Sequence, residues 1–150
     1  MSVPPEKKAL SYFGSNYNCA QSVFQALLEH KGIHIDQATQ FTAGFGGGIA
    51  HSGQQCGAIS GAMMAIGILE GQTNFDLQQH KSKTYELSTE LHTKFKDEFG
   101  SIICDELTGI DMSDSQKMQD AIDTGHFGKI CPKFIESTIR AVLTMYPDKE

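Results

Sequence analysis

The tract Gly44-Phe45-Gly46-Gly47-Gly48-Ile49-Ala50-His51-Ser52-Gly53-Gln54-Gln55-Cys56-Gly57-Ala58-Ile59-Ser60-Gly61 decides the fold, because a glycine-rich turn runs straight into an apolar segment. From Gly57 to Leu69 the chain is apolar nearly all round, the pattern of a helix buried at the centre of a domain. Ser52 with Gln55 three residues on makes a capping box, so the spacing predicts a central helix over about residues 53–70 with Cys56 in its first turn. Gly53, Gly57, Gly61 and Ala65 recur at four-residue intervals along it, a stripe that another element must approach closely.

On the N-terminal side, Pro4 and Pro5 open a short helix that Gly14 ends. Asn18 offers an N-cap with Gln21 three residues later, and Ala20, Val23, Phe24, Leu27 and Leu28 trace one face of an amphipathic helix closing at Gly32. Cys19 takes its first position. Asp36 is read as the cap of a third, short helix through Phe41.

On the C-terminal side, Asn74 or Asp76 starts a long polar helix to Phe99, with Leu77, Thr84, Leu87, Leu91, Phe95 and Phe99 as its apolar stripe. Gly100 breaks it, and Ser101 can cap a short helix carrying Cys104. Ile110 to Gly128 is polar and reads as an exposed excursion or lid. Cys131-Pro132 opens the last helix, whose core face is Ile135, Ile139, Val142, Leu143 and Tyr146. No run alternates as a strand would, and no repeat or linker divides the chain. The expectation is an all-α, single-domain helical bundle over residues 1–150, packed around the buried central helix.

A chain of 150 residues is long enough for a real core without staples. Twelve basic against eighteen acidic side chains give a net charge of −6, and no Lys or Arg run tracks phosphates, which argues against a nucleic-acid partner. The N-terminal residues lack the layout of a signal peptide, and Ala58 to Leu69 falls short of the ~20 residues that span a bilayer, so a cytoplasmic protein with no membrane span is expected. There, four cysteines read as ligands, redox groups or buried thiols rather than structural disulfides.

The cysteines are 37, 48 and 27 residues apart, with no CxxC pair. What they share is position: Cys19, Cys56, Cys104 and Cys131 each fall at the cap or in the first turn of an expected helix. Unpaired amides and the helix dipole there favour negative charge, which inclines a thiol toward the thiolate that attacks disulfides and binds metals. The four are therefore the candidate redox thiols, and equally the candidate ligands of a tetrahedral metal or iron–sulfur centre. The alternative is a binding or structural protein with inert core thiols, whose glycine stripe is a packing or homodimer surface.

Gly46, Gly47 and Gly48 invite a weaker reading as an anion cradle, although no P-loop lysine follows, and with His51 they are the candidate cofactor-binding residues. His51, five residues before Cys56, is placed to lower that thiol's pKa, relay a proton or supply a ligand; otherwise it is a solvent-exposed loop histidine. His80, His92 and His126 read as surface residues, and Met63-Met64 as core filler.

Cys19-Ala20-Gln21, Phe45-Gly46-Gly47-Gly48, Cys56-Gly57-Ala58-Ile59-Ser60-Gly61, Cys104-Asp105-Glu106-Leu107-Thr108-Gly109 and Cys131, in this order, resemble the redox-active family known by its C_GCAxxG_C_C signature. The resemblance covers about Asn18 to Ile139. It departs from the literal signature in that Gln55 precedes Cys56 and Gly57 stands before Ala58. The resemblance implies a redox role on Cys19, Cys56, Cys104 and Cys131 with a redox partner still to be named. Related domains beside haem-binding segments in split-Soret-type cytochromes imply electron transfer and an iron–sulfur site. Haem is not carried over, since the chain has no haem-attachment motif.

Overall fold

The computed structural model describes residues 3–148. Its helices are α1 (Pro5–Phe13), α2 (Cys19–His30), α3 (Ala38–Phe41), α4 (Gly57–Gly71), α5 (Leu77–Phe99), α6 (Cys104–Thr108), α7 (Ser115–Asp123), α8 (His126–Ile130) and α9 (Pro132–Met145), with a 3₁₀ turn at Ala43–Phe45. The fold is all-α: among the described residues the nearest thing to a sheet is an isolated antiparallel bridge between Gln55 and Ile103. No helix there is long and apolar enough to cross a membrane.

Helix α4 is the centre, packed on α2, α5 and α9, while α1 closes the bundle over α2 and α9. Ala58, Ile59, Ala62, Ala65 and Ile66 of α4 are fully buried, as are Val23, Phe24 and Leu27 of α2 and Ile135, Ile139 and Val142 of α9. Each large aliphatic or aromatic side chain so placed contributes about 1.5–3 kcal/mol relative to exposure. The glycine stripe of α4 is covered from within the chain: a Cβ at Gly61 would stand 2.5 Å from the Ala20 carbonyl oxygen and 3.1 Å from its Cα. The stripe is thus the α2–α4 contact, not a surface offered to a second copy.

Local signals explain several helix ends. Asn18 and Gln21 form the full capping box at α2, Asp76 accepts from the Gln79 amide at α5, and Gly100 ends α5 with φ 85°. Others are corrected. Helix α4 begins at Gly57 with Cys56 as its cap, because the Cys56 amide donates to the Ile102 carbonyl at 2.8 Å and the bridge at Gln55 keeps the residues before Gly57 out of the helix. Ser52, the expected cap, instead donates its hydroxyl to the carbonyls of Gly48 and Ile49. Gln37 rather than Asp36 precedes α3, since Asp36 is engaged with His34 at 2.7 Å. Ile103 rather than Ser101 caps α6, and the Ser101 hydroxyl accepts from the Ile103 amide. Leu77 is 83% exposed, so the buried stripe of α5 starts at Leu87. The expected excursion after Ile110 is helical over most of its length, as α7 and α8.

Candidate functional site

All four cysteines sit where the chain enters a helix: Cys19 and Cys104 are the first residues of α2 and α6, and Cys56 and Cys131 are the caps of α4 and α9. The fold brings these starts together. Cys19, Cys56, Cys104 and Cys131 line one internal cavity of about 20 Å³, closed by Gly57, Leu107, Thr108 and Phe134.

Two local devices produce the convergence. The first is the extended pairing at Gln55–Ile103, in which the Cys56 amide donates to Ile102 O and the Cys104 amide donates to Gln54 O at 2.6 Å. It sets the starts of α4 and α6 side by side. The second is the missing side chain at Gly57, where a Cβ would collide with the Cys19 sulfur and lie 2.9 Å from the Phe45 carbonyl.

The glycine-rich turn lies against this arrangement. Gly47, Gly48, Ile49, Ala50 and His51 have successive φ values of 63°, 70°, 69°, 52° and 56°, a left-handed run that costs roughly 1–2 kcal/mol for each residue with a Cβ. It is held by amides of Ala50, Gly53 and Gln54 donating to Gly44, Gly47 and Gly48 at 2.8–3.1 Å. A Cβ at Gly46 would meet the Asn18 side chain at 2.6 Å, and one at Gly48 would meet the Cys104 Cβ at 2.6 Å. A Cβ at Gly53 would run into the Asp105 carboxylate, whose Oδ1 accepts from the Met112 amide at 3.0 Å. Gly46 and Gly48 therefore serve close approach to the cysteine-bearing helices; Gly47 alone of the triplet lines the groove near the sulfurs, and a Cβ there would collide with the His51 ring.

His51 is exposed and does not line the inner cavity with Cys56. It stands instead at a larger groove of about 420 Å³, whose floor is Cys19, Cys104 and Cys131. The other histidines spend a ring nitrogen on local bonds: His80 on Gly67 O, His126 on Thr108 O, and His92 on the side-chain oxygen of Gln55 at 2.9 Å. Gln55 in turn donates to Ser60 Oγ at 3.0 Å, so a histidine read as a surface residue anchors the residue before Cys56.

The thiols are not activated in the sense expected of helix starts. Burial pushes all four upward, Cys104 and Cys131 to about 12, and outweighs the amides. They are not equivalent, however. The amides of Ala20, Cys19, Gly57 and Ala58 all oppose the effect of burial at Cys19, and charge on Cys19 raises the thiols of Cys56, Cys104 and Cys131. Cys19 is thus held up by burial like the others but has the most amides opposing that effect, and charge on it suppresses ionisation of its neighbours.

All four cysteines are free thiols. As donors they suit a soft metal. In the arrangement they hold, no three Cys, His, Asp or Glu side chains among the described residues are placed to grip a metal ion.

Sequence reasoning did not find Gln55–His92, Asp105, or the groove walls contributed by α7 and α8. The spacing of Met118 and Ile122, one helical turn apart within a polar segment, was the available signal for the last of these.

No curated protein and no solved structure matches the chain. A family model described as "Putative redox-active protein (C_GCAxxG_C_C)" matches residues 17–145 and spans all four helix-start cysteines. With that match extending over most of its length, the chain belongs to the C_GCAxxG_C_C redox-active protein family.

Proposed function

We propose that Cys19, Cys56, Cys104 and Cys131 work as one two-electron thiol–disulfide centre that passes electrons to a redox partner. The observation that supports this most is their meeting around a single cavity of about 20 Å³ although long stretches of sequence separate them. Cys19 is the attacking sulfur in this reading: four backbone amides partly offset the burial that raises its thiol, and it is half-buried on the floor of the outer groove. In the oxidation, two thiols form one S–S bond and give up two protons and two electrons to the acceptor.

A second reading, a metal or iron–sulfur centre on the same sulfurs, is favoured by the four-cysteine donor set. It requires the side chains to draw together on a common point. Purification under nitrogen, followed by metal analysis, a visible spectrum and thiol counting before and after reduction, separates the two. A metal-free protein whose thiol count falls on oxidation and recovers on reduction supports thiol–disulfide chemistry. Stoichiometric metal with a charge-transfer band, lost in Cys56→Ser, supports the second reading.

A further inference from the structure

The groove above the sulfurs has a chemistry of its own. Its floor is Cys19, Cys104 and Cys131, and its walls include Phe13, Tyr17, Met112, Met118, Ile122 and Phe127. No Asp, Glu, Lys or Arg lines it; His51, Asn16 and Asn18 are among its few polar side chains. A volume of about 420 Å³ lies in the range of small-molecule sites, which are about 300–1,000 Å³. An anionic thiol compound or nucleotide entering here would lose its hydration with no opposing charge to replace it. A neutral, mainly apolar ligand loses nothing of the kind and gains from burial.

Helix α7, which brings Met118 and Ile122, packs principally on α8 rather than on the bundle core. The apolar side of this cover is incompletely closed, since Ile122 is 51% and Tyr17 39% exposed at the groove.

We propose that this groove binds a neutral apolar quinone and that two of the thiols on its floor reduce it. The proposal rests on the thiol–disulfide reading above and names its substrate class. The chemistry balances: two Cys–SH and one quinone give one Cys–S–S–Cys and one hydroquinone. The two electrons pass to the quinone ring, and the two thiol protons end on its oxygens. His51, at the groove, is a hydrogen-bonding partner available to a quinone oxygen.

The test uses the full-length reduced protein under nitrogen with duroquinone, whose ring is fully methylated so that thiol addition is blocked. Its charged comparator is anthraquinone disulfonate, and diamide serves as a small thiol oxidant. Duroquinone is expected to become hydroquinone with loss of two thiols per chain and a mass decrease of two hydrogens. Ile122→Lys places a charge at the exposed wall, where the fold tolerates it, and is expected to slow duroquinone about tenfold or more relative to its effect on diamide oxidation. Two results overturn the proposal while leaving the redox centre standing: diamide forms the disulfide but duroquinone does not, or duroquinone reacts equally with Ile122→Lys. If neither oxidant changes the thiol count, the thiol–disulfide reading itself fails and the quinone proposal with it.

Discussion

Gly57 has no side chain because the Cys19 sulfur occupies the place its Cβ would take, while the Gly57 amide favours negative charge on that same sulfur. One residue thereby sets the distance between α2 and α4 and the electrostatics of the thiol at their junction. Gly57→Ala is expected to destabilise the protein by about 1–3 kcal/mol through overpacking and to change the rate at which Cys19 is alkylated. Gly61→Ala, which meets Ala20 one turn further along, should cost a similar amount. Gly67→Ala, whose nearest neighbour would be Thr84 Cγ2 at 4.0 Å, should be neutral or stabilising by up to about 1 kcal/mol. Urea melts of the three variants check the contrast, and equal losses in all three would refute it.

The left-handed turn predicts a change of the opposite sign. Ala50 is exposed and held at φ 52°, so Ala50→Gly removes a steric cost and should raise stability by up to about 1 kcal/mol. A lower melting temperature in this variant would show that the turn is not strained as described.

The starts of α2 and α5 were legible because their signals are local: Asn18 with Gln21, and Asp76, act within one turn of the residues they cap. The placement of Cys19 and Cys131 at helix starts was legible for the same reason, from Asn18 and Pro132 beside them. The start of α4 was not. Ser52 and Gln55 have the spacing of a capping box, yet residues 53–56 are recruited by Ile102–Asp105, nearly fifty residues away, and no local pattern announces that partner. The thiol acidity failed on the same ground. A helix start is a local feature, whereas the burial that overrides it arises only when the four starts meet.

Gln55 and His92 provide a third prediction. The His92 ring donates to Gln55 Oε1, because the Gln55 amide nitrogen is already a donor to Ser60. His92→Ala leaves that oxygen without its partner in a partly buried site, and should cost about 1–2 kcal/mol. His92→Gln, able to donate in its place, should recover part of the loss. Comparable melting curves for wild type and His92→Ala would return His92 to a surface role.

The raised thiols fix the sign of an alkaline dependence. Cys104 and Cys131 are held up to about 12 by burial, against about 8.5 in an unfolded chain. Between those values the folded protein keeps protons that the unfolded chain has released. Their contribution to stability is therefore complete below about pH 8.5 and is lost as pH rises toward 12. Tyr12 and Tyr146 are also raised by burial and by their bonds to Glu29 and Glu70, and act in the same direction. Comparing reduced with disulfide-oxidised protein isolates the cysteines, since joined sulfurs no longer titrate. The reduced form should lose more stability between about pH 8.5 and pH 10.5.

The most direct test of the four cysteines as one redox centre is thiol titration with intact-mass measurement through one cycle of oxidation and reduction under nitrogen. The account predicts loss of two thiols and two hydrogens per chain, a disulfide between two of Cys19, Cys56, Cys104 and Cys131, and full recovery with a dithiol reductant. Four thiols unchanged in number and unreactive toward oxidant, in protein free of metal, would contradict it.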